Sequence, residues 1–128
     1  MTKLVILFGG IDIKIKYRNS KDKKICTDFK KAKKEIGPIV ADKLHSLINF
    51  LESASSLMDI KNVPIYRLHP LKGDRKGQFA IDIGRKLGWR LIIIPEDDEG
   101  NEWDITDINM VYELTNIILV WEVSKHYE

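Results

Sequence analysis

The run Tyr66-Arg67-Leu68-His69-Pro70-Leu71-Lys72-Gly73-Asp74-Arg75-Lys76-Gly77 places one imidazole and four cations within twelve residues. Apolar residues precede it, and a strand pattern, Gln78–Ile83, follows. Gly73 and Gly77 can take positive φ, and Pro70 stops strand pairing because it has no N–H. The run therefore reads as a strand entering a basic loop and a second strand leaving it. A loop of this composition suits a polyanion, which it either holds or cuts.

Working outward, Ile65–Leu71, Gln78–Ile83 and Trp89–Pro95 read as successive strands, with Gly84–Gly88 turning between the last two. The unbroken apolar run Leu91-Ile92-Ile93-Ile94 predicts a central strand buried on both faces. Upstream, Ser20 is positioned to cap a helix running to about Lys34, and Gly37-Pro38 ends it and starts another. Val40, Leu44, Leu47 and Leu51 form the apolar stripe of this second helix. The two helices make a hairpin, and Ser55-Ser56-Leu57-Met58-Asp59 carries an extra turn. His45 reads as a surface or packing residue. Ile11–Tyr17 alternates as a half-buried strand. Leu4–Phe8 either pairs with it through Gly9-Gly10 or precedes the domain as an extension. After the acidic loop Glu96–Glu102, Asp104–Leu114 reads as a short helix or an irregular edge strand, and Ile117–Val123 as the last strand. The expected fold is α+β: an N-terminal strand and a helical hairpin packed on one face of a curved, mainly antiparallel sheet.

The chain has 128 residues, 44% hydrophobic and 31% charged, as expected of a single globular domain over 1–128. Cys26 is the only cysteine. It can form no internal disulfide, which points to a reducing cytoplasm and to a packing role. No run is long enough to span a bilayer, so no membrane partner is expected. The net charge of +2 conceals an asymmetry. Residues 1–90 hold 20 Lys and Arg against 9 Asp and Glu, and residues 91–128 hold 1 against 10. Either the basic part meets nucleic acid or another polyanion, or the two parts neutralise each other in the fold. Lys23, Lys24, Lys30, Lys31 and Lys34 on the first helix form either a solvated face or a surface for RNA phosphates or an acidic protein.

The basic loop, Arg90 and the terminal His126-Tyr127 outline a phosphodiester site. Cleavage of RNA by its own 2′-hydroxyl requires a base, cations for the phosphorane charge, and an acid for the leaving 5′-oxygen. His69 and His126 suit the proton transfers because unperturbed histidine titrates near ~6.5. Lys72, Arg75 and Arg90 suit the charge, Arg67 and Lys76 add phosphate contacts, and Tyr127 can stack on a base or donate a proton. This chemistry needs no metal or cofactor. The three histidines lack metal-ligand spacing, and the acidic loop lacks the Ca²⁺ pattern. By residue types alone, such a loop is more often a phosphate holder than a catalyst.

The twelve-residue run resembles the hallmark of the HigB-type killer toxins, within the RelE/ParE superfamily. Gly88-Trp89-Arg90-Leu91-Ile92 resembles that family's next hallmark, an aromatic-Arg pair opening a core strand. The resemblance covers about Ile11 to Glu128. It implies a RelE-like α+β toxin made beside a helix-turn-helix, HigA-like antitoxin, reaching operator DNA only through that complex. It also implies cleavage of mRNA on the ribosome. His69 and Lys72 fall where that family has catalytic residues, and Arg90 falls where the superfamily binds the scissile phosphate. The family often ends in Asp-Tyr-His, whereas this chain ends in His126-Tyr127-Glu128. Tyr127 matches directly, and the acid and histidine are exchanged around it. Residues 96–116 lengthen the usual link before the last strand, and residues 1–10 precede the usual start. The superfamily's ParE branch targets gyrase, so the fold leaves two readings open: an RNA-cutting toxin, or a non-catalytic member that binds antitoxin, DNA or gyrase.

Overall fold

The computed structural model describes residues 12–104 and 107–125. Five strands form one sheet among these residues: β1 (Lys14–Tyr17), β2 (His69–Pro70), β3 (Phe79–Ile83), β4 (Trp89–Glu96) and β5 (Ile117–Lys125). Their order is β1-β5-β4-β3-β2, so the apolar run Leu91–Ile94 does lie on the central strand. Four neighbouring strands pair antiparallel, and β1 runs parallel to β5 at one edge. The expected α+β arrangement is what the chain adopts. The paired half of the proposed N-terminal hairpin, Leu4–Phe8, lies outside the described residues.

The helical layer differs from expectation in one respect. The predicted single helix is two, α1 (Ser20–Thr27) and α2 (Phe29–Ile36). Asp28 causes the break. Its backbone is extended (φ −121°, ψ 104°), and its carboxylate accepts the Lys31 N–H at 3.2 Å, capping α2. A short acidic side chain competes with the helix for backbone donors and prefers such a cap. The cap of α1 is likewise Asn19 rather than Ser20, accepting the Asp22 N–H at 2.9 Å. Gly37, at φ 87°, turns the chain into α3 (Pro38–Ser53). Leu44, Leu47 and Leu51 on its stripe are fully buried. The extra turn is α4 (Leu57–Lys61), capped by Ser56.

One apolar cluster joins these helices to the sheet. It includes Ile25, Ala32, Leu44, Leu47 and Leu57 from the helices, and Phe79, Ile81, Ile83, Leu91, Ile93, Ile118 and Val120 from the strands. His45 packs as expected: its Nε2 lies 2.8 Å from the Ile25 carbonyl, and its ring meets Phe29 edge-on. The unsettled stretch 103–116 holds a helix, α5 (Ile108–Leu114), capped by Asp107. Val111 and Tyr112 bury into the core, and Trp103 packs against it while donating its indole N–H to Thr115 Oγ1 at 2.7 Å. Among the described residues no helix is long and apolar enough to cross a membrane.

The strand expected at Ile65–Leu71 is mostly absent. Pro64 starts a 3₁₀ turn over Pro64–Tyr66, and only His69 and Pro70 pair with β3. Proline fixes its own φ for such a turn, and Pro70 has no N–H with which to extend the ladder.

Cys26 is buried, and burial, reinforced by the nearby Asp22 carboxylate, pushes its thiol from 9.0 up to about 12. The unfolded thiol ionises first, so its contribution to stability should fall as pH climbs from 9.0 towards 12. Denaturant titrations across that window should show a shallower decline in Cys26→Ala than in the parent. Burial also pushes the Tyr17 hydroxyl up, and this second source of the slope remains in the variant.

Candidate functional site

Strands β3 and β4 separate the core from an open face. Phe79, Ile81 and Ile83 point one way into the cluster, so Ala80 and Asp82 point the other. Cross-strand partners share a face, and the register then collects one set of side chains. His69 on β2 pairs with Ala80, and Ala80 with Ile92. Ile92 pairs with Glu122, while Asp82 pairs with Arg90 and Arg90 with Ser124. His69, Asp82, Arg90, Glu122 and Ser124 thus occupy one face of the sheet.

A bulge makes the β5 contribution possible. Ile93 pairs with Val120 but Ile92 with Glu122, leaving Trp121 as the extra residue. Val120 lies in the core cluster, so uninterrupted alternation would also send Glu122 there. The bulge reverses the phase and brings Glu122 and Ser124 to the open face. Arg18 braces the spot, donating its Nε–H to the Trp121 carbonyl at 2.9 Å with its guanidinium 4.1 Å from that indole.

The polar contacts divide the expected cations into engaged and free groups. Arg75 donates to Glu122 Oε2 at 2.9 Å from Nη2 and to Gln78 Oε1 at 2.9 Å from Nε. Its side chain therefore reaches from the basic loop to β5, over Ala80 and Ile92, which are fully buried. Arg67 donates its Nε–H to Asp82 Oδ2 at 3.0 Å, and that carboxylate is buried. Arg67 has φ 43°, a left-handed conformation that costs a non-glycine residue about 1–2 kcal/mol. Arg90 is different. Its Nε is buried and has no hydrogen-bond partner among the described residues. A buried unmet donor costs about 1–3 kcal/mol until an acceptor arrives.

His69 is half-buried, with Nδ1 2.6 Å from the Arg67 carbonyl oxygen. A carbonyl only accepts, so in the neutral ring Nδ1 carries the proton and Nε2 holds the lone pair. Lys72 and Lys76 are exposed on the loop above. His69 and Arg90 lie two strands apart on the same face, about 10 Å laterally at ordinary strand spacing. His126 and Tyr127 lie outside the described residues, just beyond Lys125, which pairs with Trp89 and lies over its ring.

Lys23, Lys24, Lys30 and Lys34 are exposed on α1 and α2, while Lys31 pairs with Glu35 at 3.2 Å. The basic and acidic parts of the chain meet through Lys16–Glu96 at 2.6 Å and Arg75–Glu122 at 2.9 Å. The acidic segment also lies on the basic loop. Glu102 Oε1 would stand 2.7 Å from a Cβ on Gly77, so a side chain there would have to displace the carboxylate. Beside that contact is a cleft of about 560 Å³, lined by Pro70, Leu71, Lys76, Glu102, Trp103 and Ile108 among others. It is separate from the His69–Arg90 face.

No protein-family model matches the chain. Over 50 residues it is 34% identical to the Endoribonuclease HigB of Proteus vulgaris, a match covering 39% of this chain and 51% of that protein. The alignment spans about half the length of that curated relative. Among solved structures the chain is similar to a YoeB/ParE toxin from Agrobacterium tumefaciens and to a YoeB-YefM complex from Staphylococcus aureus. Each has a TM-score of 0.49 and 16% identity, over 90% of this chain and 100% and 98% of those chains.

Sequence reading missed three carboxylates of the site region. Asp82 and Glu122 hold the arginines, and the buried Asp22 Oδ1 accepts the Val123 N–H at 3.2 Å, tying α1 to β5. Asp82 had a legible signal, a charge inside the otherwise apolar run Phe79–Ile83. Glu122 had none, because its facing depends on the bulge.

The Arg75–Glu122 pair is partly exposed, so Glu122→Gln should change unfolding free energy by no more than about 1 kcal/mol. It should also release a cation. Binding to polyuridylate, followed against salt by fluorescence anisotropy, should then steepen by about 0.7 in the log–log slope, one added phosphate contact on a single strand.

Proposed function

We propose that this chain is the toxin of a type II toxin–antitoxin pair and a ribosome-dependent endoribonuclease that cuts translated mRNA. The observation that carries this reading is the open face. It holds a histidine whose Nδ1 lies 2.6 Å from the Arg67 carbonyl oxygen and, on the same side of the sheet, an arginine whose buried Nε has no acceptor among the described residues. The partial sequence match to an endoribonuclease supports it.

In this reading His69 Nε2 takes the proton from the 2′-hydroxyl, and the 2′-oxygen attacks the adjacent phosphorus. The P–O5′ bond breaks, leaving a 2′,3′-cyclic phosphate on one fragment and a 5′-hydroxyl on the other. Arg90 and Lys72 stabilise the charge that builds on the phosphorane, where fixed cations act most strongly. His126 supplies the proton to the departing 5′-oxygen, with Tyr127 stacking on a base or sharing that transfer. Lys76 and the outer nitrogens of Arg67 and Arg75 add phosphate contacts. No metal or cofactor takes part.

The exposed Lys23, Lys24, Lys30 and Lys34, with Lys31, form the surface proposed for ribosomal RNA. His69 and Arg90 are spaced across two strands, so the mRNA must be held for in-line attack by something larger than the toxin. The ribosome supplies that alignment. A HigA-like helix-turn-helix antitoxin is the proposed cytoplasmic partner, and operator DNA is reached only through that complex.

Induced expression of the parent, His69→Ala and Lys72→Ala, with mapping of mRNA 5′ ends, tests the reading. New ends inside translated codons are expected in the parent, with a loss of about 10²-fold or more in His69→Ala if it removes the base. Growth arrest with intact mRNA would instead move the target to gyrase or another bound partner.

A further inference from the structure

The buried Asp82 carboxylate takes no part in the proposed chemistry, and it connects to His69 in two steps. Asp82 is the penultimate residue of β3 and is almost fully buried, with Oδ2 accepting the Arg67 Nε–H at 3.0 Å. Arg67 is the one described non-glycine residue at positive φ, 43°. It ends the Pro64–Tyr66 turn, donates its backbone N–H to the Pro64 carbonyl at 3.0 Å, and reverses the chain into β2. The same left-handed geometry places the Arg67 carbonyl oxygen 2.6 Å from His69 Nδ1. A strained conformation persists where surrounding contacts over-determine it, and the ion pair to the buried Asp82 carboxylate is the contact available here.

We infer that Asp82 and Arg67 are positioning residues for His69: the buried carboxylate anchors the Arg67 side chain in a left-handed turn, and that turn aims the Arg67 carbonyl at Nδ1. Nδ1 then holds the proton and Nε2 is the basic nitrogen facing the open side of the sheet. The catalytic meaning of this device rests on the reading of His69 as the base. The device itself is a property of the free protein.

Arg90 lies directly across from Asp82 and makes no ion pair with it. Asp82 is therefore engaged by Arg67 while Arg90 stays available to an incoming anion. One carboxylate thus serves both sides of the site. It fixes the histidine through one arginine, and by being occupied it does not neutralise the other.

The test is the tautomer of His69 in the free protein, read from long-range ¹H–¹⁵N correlations of the neutral imidazole. The parent should show a single Nδ1–H signature. Arg67→Ala keeps the cost of the left-handed turn and loses the anchor, so the signature should be lost to a mixture of tautomers. Arg67→Gly loses the same anchor, but glycine takes positive φ freely, so the single signature should return. Asp82→Asn should move in the same direction as Arg67→Ala. Amide spectra establish that each variant is folded, and the Arg67 substitutions lie at an exposed side chain. An unchanged signature in Arg67→Ala, or a mixture in Arg67→Gly equal to that in Arg67→Ala, would overturn the inference. RNA cleavage by the same proteins separates this result from the function. If the tautomer series behaves as expected but His69→Ala still cleaves, the device stands and the base assignment falls. If cleavage needs His69 while its tautomer ignores Arg67, the base stands and the device falls.

Discussion

Strands β3 and β4 must be dry on one side and charged on the other, and the rest of the molecule follows from that alternation. Ile81, Ile83, Leu91 and Ile93 belong to the core beneath the helices. Asp82 and Arg90, between them in sequence, face away as a cross-strand pair. A one-residue slip of either strand would turn a carboxylate or a guanidinium towards the helices and the isoleucines away from them. The register is therefore fixed by a large apolar penalty, and the placement of the charged residues comes with it. Asp82 and Arg90 thereby inherit the rigidity of the core.

The loop above the sheet is nevertheless tied down at both ends. Arg67 anchors its approach to Asp82, and Arg75 crosses to Glu122. These pairs are partly exposed, and their worth lies more in position than in energy. Each holds a backbone segment that has little regular pairing of its own, since β2 is two residues long. Two of the five cations around the site are thereby used for architecture, leaving Lys72, Lys76 and Arg90 without a protein anion among the described residues. A polyanion would meet those three first.

The sequence carried the helical layer and the central strand well, because both follow from the spacing of apolar residues. Leu44, Leu47 and Leu51 keep helical spacing, and the run at Leu91–Ile94 has no polar interruption. It carried breaks less well. Asp28 reads as one more polar residue in a lysine-rich helix until its carboxylate is seen on the Lys31 N–H. Pro64 and Arg67 redirect the chain within what looks like a strand. The candidate site was legible as a set of cations and a histidine, and the resemblance to HigB-type toxins gave them roles. The carboxylates that sort those cations were not legible. Their partners are distant in the chain, Arg75 with Glu122 and Arg67 with Asp82, and the first depends on a bulge at Trp121 that no local pattern announces.

In the proposed chemistry this face cuts RNA through the substrate's own 2′-hydroxyl. The most direct measurement is single-turnover cleavage of ribosome-bound mRNA carrying one 2′-deoxynucleotide at the cleavage position mapped in cells. The all-ribose message should be cut to a 2′,3′-cyclic phosphate, and the deoxy message should stay intact at that position. Cleavage of the deoxy message at the same bond would contradict it, because the attacking oxygen would then have to come from elsewhere.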